Sequence, residues 1–379
     1  MGKLKEQGKL TSIVGLIKTL PMIYRTLRYI FIELKIKKNP YLKEIGNNLP
    51  IDDPSFRLSK HWTCRDTDVI IAVPPKSGTT WCQQICQQLR VNGKADVNFY
   101  QDLEDVQPWL ESIIGEANGP SNEYAIKPDP AAGPGALDLD VDQVDSHIRC
   151  FKSHLGLKKL GGLNCKKIYV YRHNVDAIYS AYRFMCRQIL EVADKTTPHQ
   201  FATFQILKGK LLQDGLENLC DFWDHRHDKN IAFFFYDDLK ENHAASVTRI
   251  AEVMGIDPKP ELIQKVVEQS TVSFMSSEDH HIRFENIRGI SCMKRAVGLD
   301  YSYWPNVSGQ KPPKQSRNMK VPKEGGLGNA SSKAKHGSIV GRDEVQACFD
   351  LSWNRIVLPR TGFRNLEEMR LAWNKELQV

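Results

Sequence analysis

The feature that most constrains this chain is an unbroken apolar run that leads into a short basic, hydroxyl-rich turn and then into a helix. Asp68–Val73 reads DVIIAV, the pattern of a strand covered on both faces. Pro74–Thr80 carries the Pro and Gly of a turn, and Thr80–Arg90 reads as a helix. Between them stands Pro75-Lys76-Ser77-Gly78-Thr79-Thr80-Trp81. A helix start leaves backbone N–H groups without intrahelical partners, and the macrodipole places positive potential there, so the junction attracts an anion. Gly78 lets a ligand approach the backbone closely, Thr79 and Thr80 offer hydroxyls, and Lys76 adds a point charge. A purely structural turn has no need of these residues together. The loop does not have the G-x-x-x-x-G-K-[ST] form of a Walker A site, because its lysine precedes its glycine.

Downstream, strand and helix patterns alternate. Ile148–Phe151, Lys167–Tyr171 and Asn230–Tyr236 are strand candidates, and helices are expected near Val175–Cys186, Ala244–Met254 and Glu261–Gln269. Strands separated by helices imply right-handed crossovers. The expected fold is therefore α/β, a mostly parallel central sheet flanked by helices with a P-loop-like strand–loop–helix phosphate site. The 379 residues, 41% apolar and 26% charged, suffice for one large domain or two small ones and exclude a wholly disordered chain. No apolar run approaches the ~18 residues of a membrane span, which excludes a polytopic membrane protein. Nine cysteines show neither disulfide-framework nor metal-ligand spacing. The expectation is reduced, mostly buried thiols in a cytoplasmic protein, with no metal; the sequons at Asn306 and Asn329 read as chance matches.

The net charge of +7 is uneven. Residues 1–40 hold nine Lys/Arg against two acidic residues, and residues 311–335 hold seven against one. Localised patches of this kind suit a small polyanion or a membrane surface, and no nucleic-acid partner is expected. Residues 1–60 read as a basic amphipathic N-terminal extension, with Ile23, Leu27, Ile30 and Leu34 at helical spacing. Its stretch 10–38 suits an anionic membrane surface or, alternatively, the protein's own core. Neither a signal peptide nor an N-myristoylation site is expected, because no small-residue cleavage site follows and Glu6 stands where Ser or Thr is wanted. Residues 61–379 form the α/β domain, with a flexible basic segment near 305–338 that is either a lid or plain disorder.

Two further constellations carry chemistry. After the strand Lys167–Tyr171 comes Arg172-His-Asn-Val-Asp176-Ala-Ile-Tyr-Ser180-Ala-Tyr182-Arg-Phe184. Arg172 stands at the C-terminal end of a strand, where open α/β sheets bind ligands. Asp176 and Ser180 lie one helical turn apart on one face, and an arginine with a hydroxyl can hold a second phosphate. In Cys150-Phe151-Lys152-Ser153-His154-Leu155, Lys152 and His154 share a strand face. A neighbouring lysine disfavours protonation of the histidine, which suits a general base.

These segments resemble the cytosolic-type sulfotransferases, whose signature loop is P-K-S-G-T-T-W and whose later segments are R-N-x-x-D-x-x-x-S-x-Y-x-F and K-T-H-L. Here His173 replaces Asn, Ser153 replaces Thr and Gly156 stands where Pro is common. The resemblance implies that the loop Lys76, Ser77, Gly78, Thr79 and Thr80 binds the 5′-phosphosulfate end of 3′-phosphoadenosine 5′-phosphosulfate (PAPS), and that Trp81 at its end stacks on the purine. It likewise implies that Arg172 and Ser180 hold the 3′-phosphate, and that His154 is the general base, with Lys76 and Lys152 assisting. Phe233–Asn242 is similar to the family's F-x-Y-E-D-L-K-E-N, whose Tyr, here Tyr236, contacts the adenine; Phe274 of Ser273-Phe274 lies on the same side. The phenylalanines themselves are expected in the core. The clearest departure is Lys320-Val-Pro-Lys323-Glu-Gly-Gly-Leu-Gly328, which replaces the family's R-K-G-x-x-G-D-W and leaves Lys320 and Lys323 as substitute phosphate ligands. Lys335 to Glu344 resembles the family's dimer segment, which implies a homodimer.

The resulting expectation is sulfuryl transfer from PAPS to a hydroxyl or amine of a small-molecule acceptor. The acceptor pocket is expected in the loops 92–147, 187–215 and 275–310. Two alternatives stand beside it: a P-loop-like nucleotide kinase or NTPase, and a non-catalytic membrane-associated binding protein on the same scaffold.

Overall fold

Four short strands give the molecule its frame. In the computed structural model, residues 63–93, 103, 107, 110, 147–183, 196–207, 210–276 and 342–377 are described. Strand β1 (Val69–Ala72) is followed by helix α1 (Thr79–Arg90), strand β2 (Cys150–Ser153), the short α2 (Leu157–Leu160) and strand β3 (Lys166–Tyr171). Next come α3 (Asn174–Tyr182), α4 (Pro198–Leu207), α5 (Lys210–Asp224) and strand β4 (Ile231–Phe235). The chain then runs through α6 (Tyr236–Glu241), α7 (His243–Met254), α8 (Pro260–Gln269) and α9 (Val272–Ser276). Helices α10 (Arg342–Ile356), α11 (Leu358–Thr361) and α12 (Leu366–Glu376) follow. The strands lie in the order β2-β1-β3-β4, and every pairing is parallel.

The strands are apolar throughout because both sheet faces are covered, and successive side chains go to opposite sides. Ile70, Ala72, Phe151, Tyr169, Tyr171, Phe233 and Phe235 enter one core layer, which also takes Val175, Phe222, Trp353 and Trp373 from the helices. Val69, Ile71, Val73, Ile168, Val170 and Phe234 enter the other, with Ile85, Leu89, Ile250 and Val266. The Phe233–Phe235 run is thus core on both sides, as its sequence suggested. Tyr169 stacks on Phe222 with ring centroids 4.0 Å apart, an arrangement worth about 0.5–1.5 kcal/mol beyond the area it buries.

The N-terminal edge of the sheet is closed by charge pairing. Arg149 and Asp68 are both fully buried, and Arg149 donates from Nε to Asp68 Oδ1 at 2.7 Å and from Nη2 to Oδ2 at 2.6 Å. Asp68 also accepts from the Arg65 backbone N–H, and Arg149 donates to the Thr63 carbonyl. Beside them, Lys167 Nζ donates to the carbonyls of Leu163 and Cys165.

The strand bounds shift from the expectation, most instructively at two places. The second strand begins at Cys150 rather than Ile148 and runs on through Lys152 and Ser153. Arg149 is turned into the Asp68 pair, while Lys152 and Ser153 pair with Ile71 and Ala72 of β1. Tyr236 starts a helix instead of ending a strand. Of the seven described cysteines, all but Cys348 lie in or against the two core layers, and all seven are free thiols. His225 and His227 lie on the surface, where they pair with Asp228 and Glu376. The N-terminal extension, the segment 305–338 and most of the dimer-like segment lie outside the described residues. Among the described residues no helix is long and apolar enough to cross a membrane.

Candidate active site

The site follows from strand order. Beyond β1 the chain moves to β2 on one side, and beyond β3 it moves to β4 on the other. The C-terminal ends of β1 and β3 therefore flank a topological switch point, where open α/β sheets leave a crevice. The loop 74–78 leaves β1 there and Arg172 leaves β3 there, so two segments almost a hundred residues apart in sequence meet.

The loop has unusual backbone geometry. Lys76 has φ 62° and Gly78 has φ 106°. Left-handed backbone at a non-glycine residue costs roughly 1–2 kcal/mol, and here the surrounding structure holds it. Arg172 Nη1 donates to the Lys76 carbonyl at 2.9 Å. The same guanidinium lies over the Tyr236 ring, 4.8 Å from its centroid. A Cβ at Gly78 would sit 3.3 Å from that ring. Alternating left-handed residues before a helix turn successive N–H groups toward one concavity, which favours an anion. The tight approach of loop to Tyr236 explains why glycine stands at this position.

The Val73 carbonyl, at the end of β1, organises the other side. His154 Nδ1 lies 2.7 Å from it, and Thr79 Oγ1 donates to it at 3.4 Å. A carbonyl only accepts, so Nδ1 carries the ring proton and Nε2 carries the lone pair. Burial pushes the His154 pKa down to about 3, with the Lys152 and Lys76 charges acting in the same direction against the Val73 hydrogen bond. The ring is neutral at physiological pH, in the tautomer a general base requires. Burial also lowers the Lys76 pKa to about 8, and the neighbouring Arg172 and Lys152 push it the same way. Lys152 is itself buried in β2. Among the described residues no cluster of His, Cys, Asp and Glu is arranged to hold a metal.

The structure brings together most of the residues singled out in the sequence. Lys76, Ser77, Gly78, Thr79, Thr80, Trp81, Lys152, His154, Arg172 and Tyr236 gather at the C-terminal edge of the sheet. Ser180 lies two turns along α3 with a half-buried side chain, and Phe274 lies half-buried on α9. Lys320 and Lys323 fall outside the described residues. Thr79 differs from expectation: its hydroxyl proton is directed at Val73, which leaves Thr80 as the loop threonine with a half-buried side chain. Two participants were not foreseen. The Val73 carbonyl has no side-chain signature, so no sequence pattern reports it. His243 packs on Trp81 with centroids 5.1 Å apart, and it was indistinguishable in sequence from any helix-terminal histidine.

The switch point of this parallel α/β sheet thus joins a basic loop in left-handed backbone, a clamping arginine and a neutral histidine, an arrangement suited to an anionic ligand. Comparison with known proteins gives the family. The family model described as a sulfotransferase domain matches residues 66–294, more than half of the chain, so the chain belongs to the sulfotransferase family. It is 28% identical over 216 residues to amine sulfotransferase of Oryctolagus cuniculus, an alignment spanning 56% of this chain and 64% of that protein. It is 26% identical over 229 residues to sulfotransferase 1E1 of Bos taurus, spanning 59% of this chain and 70% of that one. In fold it is similar to a crystal structure of retinol dehydratase in complex with androsterone and inactive cofactor PAP. That match has a TM-score of 0.51 and 18% identity, and covers 83% of this chain and 94% of the other.

Proposed function

We propose that this chain transfers the sulfuryl group of PAPS to a hydroxyl or amine of a small-molecule acceptor, with His154 as general base. The observation that carries this reading is the pairing of a neutral, Nδ1-protonated His154 with a lysine-bearing anion loop at one switch point.

The donor set suits such a co-substrate. PAPS carries charge at both ends and a purine between, and when bound it supplies an activated sulfuryl group. Lys76, Ser77, Gly78, Thr79 and Thr80 would hold the 5′ end, and Arg172 with Ser180 the 3′-phosphate. Trp81, Tyr236 and Phe274 would wall the base. The Trp81 indole N–H is buried and has no protein partner, an orphan donor of the kind a ligand satisfies. Lys320 and Lys323 remain proposed as additional phosphate ligands, and a homodimer and an anionic membrane surface for residues 10–38 as partners.

His154 Nε2 would take the acceptor's proton as the acceptor oxygen or nitrogen attacks. Lys76, held near its own neutralisation point, would offset charge growing on the leaving phosphate, and Lys152 would assist. Arg172 serves the loop first, by fixing the Lys76 backbone, so its guanidinium acts on both the loop and the donor. Positioning and electrostatics supply most of the acceleration in such transfers, which need no covalent intermediate on the protein.

Incubating the full chain with isotopically labelled PAPS and a panel of phenols, sterols, aliphatic alcohols and amines tests the reading. A sulfonated product seen by mass spectrometry with the wild type, and lost with His154→Ala, supports it. Release of labelled sulfate alone across the whole panel contradicts it.

A further inference from the structure

Beside the loop lies a histidine that the reaction does not use. His243 opens α7 directly behind Trp81, with ring centroids 5.1 Å apart and an interplanar angle of 57°. Trp81 in turn meets Tyr236 edge-on at 6.0 Å, and Tyr236 lies under the Arg172 guanidinium. The rings form a continuous row from the loop clamp to His243.

The far side of His243 is anchored. Ser270, buried at the end of α8, donates its single hydroxyl proton to the Val266 carbonyl at 2.6 Å. Its oxygen therefore accepts from His243 Nε2, 3.1 Å away, which places the ring proton on Nε2. Burial lowers the pKa of this imidazole, so the neutral ring is the resting form. Ser270 leads directly into Thr271 and α9, where the Thr271 hydroxyl accepts from the Phe274 backbone N–H. A second tie runs parallel, from Gln84 Nε2 on α1 to the Gln269 carbonyl at 2.9 Å. His243 thus joins Trp81 on α1 to the segment that carries Phe274.

We infer that His243 is a positioning residue for the donor's base: it fixes the Trp81 indole against the 270–274 segment, so that Trp81 and Phe274 keep a set separation. This rests on the donor reading given above. It predicts that His243 governs affinity for the base and leaves affinity for the phosphates alone.

The test is calorimetric titration of the full chain with 3′-phosphoadenosine 5′-phosphate and, separately, with ribose 3,5-bisphosphate, which has the phosphates without the base. His243→Ala should weaken binding of the nucleotide about 2- to 12-fold, the worth of one aromatic pair. Ribose 3,5-bisphosphate should bind as to the wild type. His243→Phe, which keeps a ring against Trp81, should recover most of the loss, and Ser270→Ala should show a smaller loss of the same kind. Unchanged nucleotide affinity in His243→Ala overturns the inference, as does equal weakening of both ligands, which marks a general structural role. A wild-type chain that binds neither ligand overturns the donor reading itself, and the inference with it.

Discussion

The two ends of the sheet handle charge in opposite ways. At the N-terminal edge, Asp68 and Arg149 are fully buried and satisfy one another through two hydrogen bonds, and Lys167 is capped by two carbonyls. At the C-terminal edge, Lys76, Lys152 and Arg172 crowd together, and the last two push the Lys76 pKa down. A closed pair of opposite charges sets register and needs nothing further. A gathering of like charges works against the fold and gains its return when an anion arrives. The structural end and the functional end of one sheet are told apart by this difference, and it can be tested from both sides.

The largest effect is expected at the functional end. Lys76→Ala and His154→Ala should each lower kcat by about 10²-fold or more, the usual scale for a lost electrostatic stabiliser or general base. Urea unfolding should show Lys76→Ala at least as stable as wild type, because burial and the Arg172 and Lys152 charges disfavour its ammonium, whereas His154→Ala gives up the hydrogen bond to the Val73 carbonyl and should lose some stability. Marked destabilisation with full turnover would erase the contrast between the ends.

The converse substitution is Arg149→Met. Removing one partner of a buried pair costs about 3–5 kcal/mol, which urea denaturation would register as a lower midpoint with an unchanged slope. The folded fraction should keep its turnover number. A catalytic defect without a stability defect would show that the N-terminal edge is not merely structural.

Gly78→Ala sharpens the picture within the loop. A left-handed φ of 106° and a Cβ 3.3 Å from Tyr236 predict a stability loss of about 1–2 kcal/mol and a raised donor KM. The smallest effects are those of pH. Lys76 loses its proton near pH 8 in the free enzyme, so kcat/KM should decline above that value, and the corresponding limb of kcat should move higher once an anion is bound. His154 takes up no proton until about pH 3, so it contributes no acidic limb near pH 6.5. Its depressed pKa has a stability consequence of definite sign. The unfolded chain binds a proton below about 6.5 and the folded chain does not, so stability present above that pH is lost on acidification toward 3. Acid-stable folding across that window would contradict the burial of His154.

How much of this was legible in sequence depends on whether a feature lives in side chains or in the backbone. DVIIAV, the loop after it and Thr79–Arg90 were readable because burial on both faces, glycine and helix period leave compositional traces. Lys152, His154 and Arg172 were readable as chemistry. Their convergence was not, because it arises from the strand order β2-β1-β3-β4, which no local pattern records. The second strand begins two residues later than its apolar pattern predicts. Ile148 looks apolar, yet Arg149 is drawn into the Asp68 pair, and Lys152 and Ser153 are held in strand by pairing with β1. The Val73 carbonyl that selects the His154 tautomer is invisible for a simpler reason, since every residue has one. The bond from Arg172 to the Lys76 carbonyl leaves no sequence trace for the same reason. His243 carried an ordinary sequence context and became informative only once Ser270 and Trp81 were placed on either side of it.

The most direct test of the account is a crystal structure of the full chain with 3′-phosphoadenosine 5′-phosphate. The account predicts the 5′-phosphate about 3 Å from Lys76 Nζ and from backbone N–H groups of residues 77–80, with the adenine beside Trp81 and Tyr236. The opposite edge has its own recess, a cavity of 450 Å³ whose charged and titratable lining is Lys167, His225, Asp228 and Lys229. Nucleotide bound there, with the loop at Lys76 untouched, would contradict it.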